Sequence, residues 1–299
     1  MHPVFFQMGG IVGYSYGLMI GIGALLAIFV SEWRAKRRGL DGELVFSAAV
    51  WGLLAGLLGA KLTFIISNIK LLFTNPSYVL GTNGFTVYGG VVLGIIVGGL
   101  IVKRKKVDVP VYLDLVIPQI ALAQGFGRIG CFLAGCCYGK PTDSHFGVVF
   151  PVEAIAPSGI PLIPTQLISA AGDFLIFAIL LLLSNFATDY LKVRKGEEEL
   201  LDKDAVTKKL RLFQPLSMSG MYLILYGIGR FAIEFLRADP RRTALGLTSN
   251  QYVSIIFVIA GLALIYYGYQ RAKKLVSNAD AAEPEATAEE KNEKTGSKE

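Results

Sequence analysis

The chain has 299 residues, of which 53% are hydrophobic and only 17% are charged. Apolar runs of about twenty residues recur along it, a pattern that indicates several membrane-crossing helices and excludes an ordinary soluble enzyme. The net charge of +6 would suit a nucleic-acid partner, but the basic residues flank apolar runs, so we discount nucleic acid. The three cysteines, two of them adjacent, do not form a disulfide framework.

Seven transmembrane helices are predicted, so we expect an all-α polytopic membrane protein. The predicted spans cover residues 11–30, 44–66, 87–102, 112–135, 165–186, 216–236 and 252–269. From residue 277 onward the chain is rich in Ala, Glu and Lys and has no aromatic residue, a composition typical of disorder. We therefore predict one membrane domain over residues 1–276 and a disordered cytoplasmic tail over residues 277–299.

The distribution of Lys and Arg predicts the orientation of the chain. Eighteen of them lie in the first, third and fifth loops and at the start of the tail, against five on the opposite side. The first loop, for example, is predicted to contain Arg34, Lys36, Arg37 and Arg38. Because cytoplasmic loops carry the excess of positive residues, the N-terminus is predicted outside and the C-terminus in the cytoplasm. The pattern is typical of a multi-pass protein of the bacterial cytoplasmic (inner) membrane.

Charged residues lie deep inside four of the predicted spans. They are Lys61, Arg128, Asp173, Arg230 and Glu234. Ionisable side chains within a bilayer are costly, so a functional role is the first hypothesis for them. The three cations lie fourteen to seventeen residues from the cytoplasmic starts of their spans. At about 1.5 Å per residue they converge roughly 20–26 Å up a hydrocarbon core of about 30 Å.

Two interpretations of these charges are open. They can form interhelical ion pairs, since Glu234 follows Arg230 by four residues and Asp173 can pair with another cation. As a set, however, the cations outnumber the acids, because Arg237 lies at the same end of the sixth span as Arg230. A surplus of cations at low dielectric requires an anion. We therefore predict a site for an anionic phospholipid headgroup in the outer leaflet.

Three tyrosines lie beside glycines near the predicted level of these charges. Tyr16, Tyr88 and Tyr226 are adjacent to Gly17, Gly89 and Gly227. Tyrosines at this level usually anchor a helix at the membrane interface. Their position next to glycine at the level of the charges also makes them candidates for lining the predicted headgroup site.

All three cysteines lie at the outer end of the fourth span, in the segment GFGRIGCFLAGCCYG at 125–139. Cys131, Cys136 and Cys137 could bind zinc together with His145, although this spacing is unusual for zinc ligands. Three other interpretations are a redox pair, a nucleophilic thiol activated by Arg128 and simple packing of small residues. The sequence favours packing, so we predict no bound metal ion.

Six short motifs resemble those of the prolipoprotein diacylglyceryl transferase family. They are YGLM at 16–19, GAKL at 59–62, YGG at 88–90, GRIGCFLAG at 127–135, PTQL at 164–167 and YGIGRFAIEFLR at 226–237. The number and orientation of the predicted spans also agree with this family. The resemblance therefore covers the whole predicted membrane domain.

The resemblance implies an enzyme that moves a diacylglyceryl group from phosphatidylglycerol to the lipobox cysteine of a prolipoprotein signal peptide. The products are a thioether and glycerol phosphate, no cofactor is implied, and the site faces the periplasmic side among membrane lipids. The implied catalytic residues are Arg128, Arg230 and Glu234, with Tyr88 in place of the family's histidine. The implied substrate-binding residues are Arg128, Lys61, Arg237, Tyr16, Tyr226, Gln166, Gly89 and Gly90.

The chain also departs from the family pattern at several polar positions. Tyr88 replaces a histidine, Cys131 and Ala134 replace asparagines, Cys136 replaces an acidic residue, Ile168 and Ser169 replace Tyr-Glu, and Lys61 replaces an arginine. Two alternatives therefore stay open. One is a phospholipid-dependent transferase with another acceptor, in which a cysteine forms a covalent intermediate. The other is a lipid-binding or lipid-translocating membrane protein without the chemistry.

Overall fold

The computed structural model describes residues 2–8, 11–81, 84–186, 214–238 and 246–296, with side chains to residue 274 in the last helix. Within these ranges, seven helices are long and apolar enough to cross a membrane, which confirms the predicted polytopic all-α fold. The helices are α1 (Ser15–Arg37), α2 (Gly42–Ser67), α3 (Ile69–Thr74), α4 (Pro76–Leu80), α5 (Val87–Arg104), α6 (Val109–Ala134), α7 (Thr165–Phe186), α8 (Ser217–Ile233) and α9 (Ser249–Gly296). The two short helices, α3 and α4, lie between α2 and α5, and a 3-10 turn, Glu234–Leu236, follows α8.

The first span begins later than predicted because the chain before it forms a hairpin. Strand β1 (Val4–Met8) pairs antiparallel with β2 (Ile11–Tyr14), so the apolar residues from position 11 are extended and not helical. The backbone N–H of Ser15 donates to the carbonyl of Pro3 at 2.9 Å and joins the hairpin to the first turn of α1. The hairpin uses the backbone groups that a longer helix would have needed.

At its other end α1 runs to Arg37, so three of the basic residues assigned to the first loop are helical. One of them, Arg34, is buried, and its guanidinium donates to the carbonyl of Leu115 at 2.8 Å and to the hydroxyl of Ser184 at 2.6 Å. Arg38 donates to the carbonyl of Ser184 at 2.7 Å. Two arginines thus join α1 to α6 and to the last turn of α7, whose carbonyls have no intrahelical donor.

Helix α6 lies at the centre of the helix arrangement. It packs against α1 on one side and against α7 and α8 on the other, while α2 packs between α1 and α5 and α9 packs on α8. Buried apolar side chains fill the junction of α6, α7 and α8; they are Ile117, Ala121, Ile176, Leu180, Met218 and Tyr222. The three helices that carry Arg128, Asp173 and Arg230 therefore share one core.

Glycines set the close approach of α2 and α5. Gly56 and Gly59 of α2 face Gly90 and Gly89 of α5, where backbone atoms of one helix occupy the space that a side chain of the other would need. Such small residues let membrane helices pack at short range. The structure thus gives Gly89 and Gly90 a packing role, and their predicted contact with substrate stays a prediction.

We expect Gly89→Ala to destabilise the protein. A Cβ atom at residue 89 would lie 2.7 Å from the carbonyl oxygen of Gly59 and would also collide with Thr63. Overpacking of this kind costs about 1–3 kcal/mol, so the thermal midpoint of the detergent-solubilised protein should fall. Gly99→Ala on the same helix is the control, because nothing lies within 4 Å of a Cβ atom there. Equal midpoints for the two variants would contradict the proposed packing role.

Some sequence predictions concern residues that the structure does not describe. The basic segment at 192–211 and Arg241 and Arg242 lie outside the described residues, so the predicted orientation stays a prediction. The backbone of α9 continues to Gly296, so no helix end marks the domain boundary predicted at residue 276. That boundary and the disorder predicted beyond it also stay predictions.

The loop between α6 and α7 is anchored to the end of α8. Its short strands β3 (Val148–Val149) and β4 (Pro161–Leu162) pair antiparallel. The N–H of Gly139 donates to the carbonyl of Ile163 at 3.0 Å, and the N–H of Lys140 donates to that of Leu236 at 2.9 Å. Because of these bonds, the C-terminal end of α6, with its cysteines, lies beside Arg237.

Candidate active site

A cavity of about 290 Å³ lies between α6, α7 and α8. Its ionisable lining residues are Arg128 from α6, Asp173 from α7, and Tyr226 and Arg230 from α8; the other lining residues are Ile168, Ser169, Gly172, Ile176, Gly229, Ala232, Ile233 and Leu236. The structure therefore brings Arg128 and Arg230 together, as the sequence predicted. Three helices are needed to form the cavity, so its composition depends on tertiary packing.

Arg230 is held by a buried acid one turn further on. Its Nη2 atom lies 3.1 Å from Oε2 of Glu234, which confirms the predicted pairing within one helix. Glu234 also accepts a hydrogen bond of 3.0 Å from the amide of Asn250, and its Oε2 lies 3.9 Å from Nε of Arg237. One carboxylate thus pairs with Arg230 and lies within ion-pair distance of Arg237 at the end of α8. Sequence reasoning missed Asn250, because nothing local places the start of α9 beside Glu234.

Arg128 makes no ion pair within the described part of the chain. Its electrostatic neighbours include Tyr226, Cys131 and Asp173. Arg128 is half-buried, and a guanidinium withdrawn from water without a close carboxylate partner is costly unless an anion joins it. Its planar fork of donors matches the oxygens of a phosphate group. The cavity wall therefore combines one acid-paired arginine, Arg230, with one whose donors can bind an anionic ligand.

Asp173 is the carboxylate of this cavity wall. Its side chain is almost fully buried, and Oδ2 makes no hydrogen bond to the described residues. The predicted ion pair is absent within the described ranges, although the carboxylate interacts electrostatically with Arg128 and Arg230. A carboxylate with an unoccupied oxygen, facing a ligand cavity, can accept a proton from a substrate. Sequence reasoning did not assign Asp173 this role because its burial in the cavity wall is a tertiary feature.

Tyr226 is positioned in the cavity by aromatic neighbours. Its ring stacks on Tyr222 with centroids 5.8 Å apart and lies 6.0 Å from the ring of Phe257. Tyr222 is held in turn by a hydrogen bond of 2.7 Å from its hydroxyl to Oε1 of Gln124. Tyr226 thus lines the cavity, and its predicted contact with a phospholipid headgroup stays a prediction.

Lys61 and Tyr88 are among the predicted site residues that do not line the cavity. The amine of Lys61 donates to the carbonyl of Gly81 at 2.5 Å and lies 5.3 Å and 5.5 Å from the ring centroids of Phe85 and Phe64. Tyr88 is 61% exposed in the first turn of α5. The convergence predicted for the cations thus holds at the cavity for Arg128 and Arg230, and the substrate roles of Lys61 and Tyr88 stay predictions.

The three cysteines come together at the end of α6. The sulfur atoms of Cys131, Cys136 and Cys137 all lie within 4.8 Å of one another, and none is in a disulfide. The chain turns between them at Gly135, which has a φ of 73°, and Cys137 itself has a φ of 61°. His145 is not part of the group within the described residues, so the zinc alternative considered from the sequence lacks its histidine ligand.

Side chains from the start of α7 hold the cysteine loop in place. Thr165 donates to the carbonyl of Cys137 at 2.8 Å, and the amide of Gln166 donates to the carbonyl of Cys136 at 2.8 Å. Both side chains are buried. The structure thus shows Gln166 fixing the loop, while its predicted contact with substrate stays a prediction.

The cysteine group lies next to the arginines of the site. Hydrogen bonds from Cys131 and Cys136, together with the guanidinium of Arg237, lower the pKa of the Cys137 thiol. Arg128 interacts electrostatically with Cys131 and Cys137, and Tyr16 interacts with all three thiols. The predicted site residues Tyr16 and Arg237 therefore lie beside the cysteines. Arg128 lines the cavity and also interacts with the cysteines, so it belongs to both groups.

The fold and site define a multi-pass membrane protein with an arginine-lined cavity beside a cluster of thiols. A family model described as prolipoprotein diacylglyceryl transferase matches residues 3–267, so the chain belongs to that family. Membership of this family confirms the resemblance that the motifs suggested.

Several relatives carry the name phosphatidylglycerol–prolipoprotein diacylglyceryl transferase. One from Clostridium tetani is 43% identical over 264 residues, covering 88% of this chain and 96% of the relative. A second, from Clostridium perfringens and named transferase 2, is 37% identical over 276 residues, covering 92% and 98%. A third, from Dehalococcoides mccartyi, is 30% identical over 280 residues, covering 92% and 97%. The similarity extends over nearly the full length of each relative.

Proposed function

We propose that this protein transfers a diacylglyceryl group from phosphatidylglycerol to the lipobox cysteine of bacterial prolipoproteins. The names of its relatives support both substrates. The observation that carries the proposal is Arg128, a half-buried guanidinium without a described ion pair, in one cavity with Arg230. A phosphodiester headgroup supplies the anion that this pair of arginines requires.

The arginines act on the leaving group. The thiolate of the acceptor attacks the glycerol carbon next to the phosphate, the C–O bond breaks, and glycerol phosphate departs with its electron pair. Negative charge on that phosphate grows during the step, so Arg128 and Arg230 stabilise the transition state more than the bound lipid. Glu234 keeps the guanidinium of Arg230 in position, and the hydrogen bond from Asn250 fixes Glu234 in turn.

A proton must also leave the acceptor thiol before or during the attack. In the cavity wall Asp173 is the side chain best suited to accept it, since its Oδ2 has no described hydrogen-bond partner. Asp173 can thus accept the proton in place of the family's histidine, whose position is occupied by Tyr88 in this chain. We expect Asp173→Asn to reduce transfer by about 10²–10⁴-fold, the usual contribution of a positioned base. Ser169→Ala in the same cavity wall is the control, and equal loss in both variants would contradict the role of Asp173.

We further propose that the site faces the periplasmic side of the bacterial cytoplasmic membrane. The excess of Lys and Arg in the alternate loops supports this orientation. Green fluorescent protein fused after residue 299 should fluoresce, because it becomes fluorescent in the cytoplasm but not after export in unfolded form. Alkaline phosphatase fused at the same position should be inactive. The opposite pair of results would overturn the orientation.

Complementation tests the proposed function most directly. A bacterium depleted of its own transferase should grow when it expresses the wild-type chain and should fail with Arg128→Ala at equal membrane abundance. Growth with both proteins would remove Arg128 from the mechanism. Failure with both, at normal abundance, would favour another acceptor or a lipid-binding protein without the chemistry.

A second measurement separates direct transfer from a mechanism with a lipid-bound enzyme cysteine. The purified protein is incubated with labelled phosphatidylglycerol and no acceptor, and its intact mass is measured. Direct transfer predicts an unmodified chain. A mass increase of one diacylglyceryl group on Cys131, Cys136 or Cys137 would show instead that the protein's own thiol is the first acceptor.

A further inference from the structure

Three thiols converge where sequence spacing gave little reason to expect them. Cys131 lies on the last turns of α6, and Cys136 and Cys137 follow the left-handed turn at Gly135. Their sulfur atoms lie within 4.8 Å of one another, and Cys131 is buried while the other two are half-buried. The convergence is not needed to close the helix, because Gly135 alone can provide the turn.

The separation of the sulfur atoms is close to that of a tetrahedral zinc site. Zinc–sulfur bonds of about 2.3 Å place the sulfur ligands of such a site about 3.8 Å apart. The observed limit of 4.8 Å needs only a small inward movement of the side chains. Thr165 and Gln166 hold the carbonyls of Cys137 and Cys136, so the backbone that carries two of the thiols is already fixed.

The surroundings also suit a negatively charged metal centre. Three thiolates with one Zn²⁺ carry a net charge of −1, which a cation beside them would balance. Arg237 interacts with Cys137, and Arg128 interacts with Cys131 and Cys137. Second-shell charges of this kind orient and stabilise the ligands of metal sites.

We propose that Cys131, Cys136 and Cys137 bind a Zn²⁺ ion whose fourth position is open and receives the thiol of the acceptor. Three protein ligands with one open position are the arrangement of catalytic zinc, whereas structural sites are closed by a fourth protein ligand. The second half of this inference, the acceptor thiol, rests on the proposed function. The first half, the metal site, stands on the thiol group alone.

This zinc site would deprotonate the acceptor thiol, a step for which this chain lacks the family's histidine. A thiol that coordinates zinc loses its proton, so the acceptor would arrive at the site as a thiolate, with Asp173 or water taking the proton. Its sulfur forms the bond to the glycerol carbon while the C–O bond to phosphate breaks and the phosphate keeps that electron pair. The thioether product is a poorer ligand than a thiolate and leaves the zinc.

Metal analysis of the full-length protein in detergent tests the first half. We expect about one zinc per chain after incubation with Zn²⁺ and removal of free metal, and close to none for Cys131→Ser, Cys136→Ser or Cys137→Ser. His145→Ala is the matched control and should keep its zinc. Protein that folds normally but binds no zinc overturns the site.

Cobalt provides a readout in the wild-type protein and avoids variants that fail to fold. Co²⁺-loaded protein should show the visible bands of a tetrahedral centre and near-ultraviolet sulfur-to-cobalt bands. A synthetic lipobox peptide should raise the sulfur-to-cobalt absorption by about one third, as three sulfur ligands become four. The same peptide with serine in place of cysteine should leave the spectrum unchanged. Equal spectra with both peptides would overturn the acceptor role of the metal.

The two proposals fail in different ways. Transfer that continues unchanged in protein shown to be free of zinc would overturn the acceptor role of the metal and leave the proposed function intact. Stoichiometric zinc in a protein that does not complement a transferase-depleted strain would overturn the proposed function and leave the metal site intact.

Discussion

Replacing Arg128 by alanine should lower the rate of diacylglyceryl transfer by about 10²–10³-fold, the usual effect of removing one preorganised donor from a developing anion. We expect this loss of rate because Arg128 lines the cavity and makes no ion pair within the described residues. Its donors can therefore bind the departing phosphate. The measurement is transfer from labelled phosphatidylglycerol to a lipobox peptide by purified protein. Phospholipid binding should weaken in the same variant.

Two further variants sharpen this test. Arg128→Lys keeps the charge but loses the planar fork of donors, so its rate should lie between those of wild type and alanine. Arg104→Ala removes an exposed arginine at the end of α5 and should leave transfer unchanged. A transfer rate for Arg128→Ala within about threefold of wild type would contradict the leaving-group role.

Replacing Glu234 by alanine should cause the largest loss of stability. Its buried carboxylate pairs with Arg230 at 3.1 Å, lies 3.9 Å from Arg237 and accepts a hydrogen bond from Asn250. Removing one partner of a buried pair leaves an uncompensated charge and typically costs about 3–5 kcal/mol. We expect a lower thermal midpoint in detergent and a large loss of transfer, because Arg230 would no longer be held in the cavity wall.

A paired variant separates stability from catalysis at this position. Glu234→Leu combined with Arg230→Met removes both charges of the pair, so the thermal midpoint should recover towards wild type while transfer stays low. Glu153→Gln, on an exposed part of the loop before α7, is the control and should change neither quantity. A midpoint for Glu234→Ala equal to that of wild type would show that the carboxylate does not compensate the arginines.

Local sequence features were sufficient for much of the fold. Length and hydrophobicity of each span are properties of consecutive residues, so the seven membrane helices and the family could be predicted. The same features failed at the N-terminus. The apolar segment Ile11–Tyr14 fits a helix or a strand equally well, and the structure shows a strand where the sequence predicted a helix. They also failed for Arg34, because its partners Leu115 and Ser184 lie on other helices.

The sequence by itself determined the seven membrane helices and singled out the two arginines as candidates, because both depend on residue type within an apolar run. Only the tertiary structure decided that Asp173 faces Arg128 in one cavity while Lys61 lies outside its wall. It also decided the meeting of Cys131 with Cys136 and Cys137, through the turn at Gly135 and donors from the start of α7. These contacts depend on how separate helices and loops pack, and the spacing of residues along the chain does not encode that packing locally.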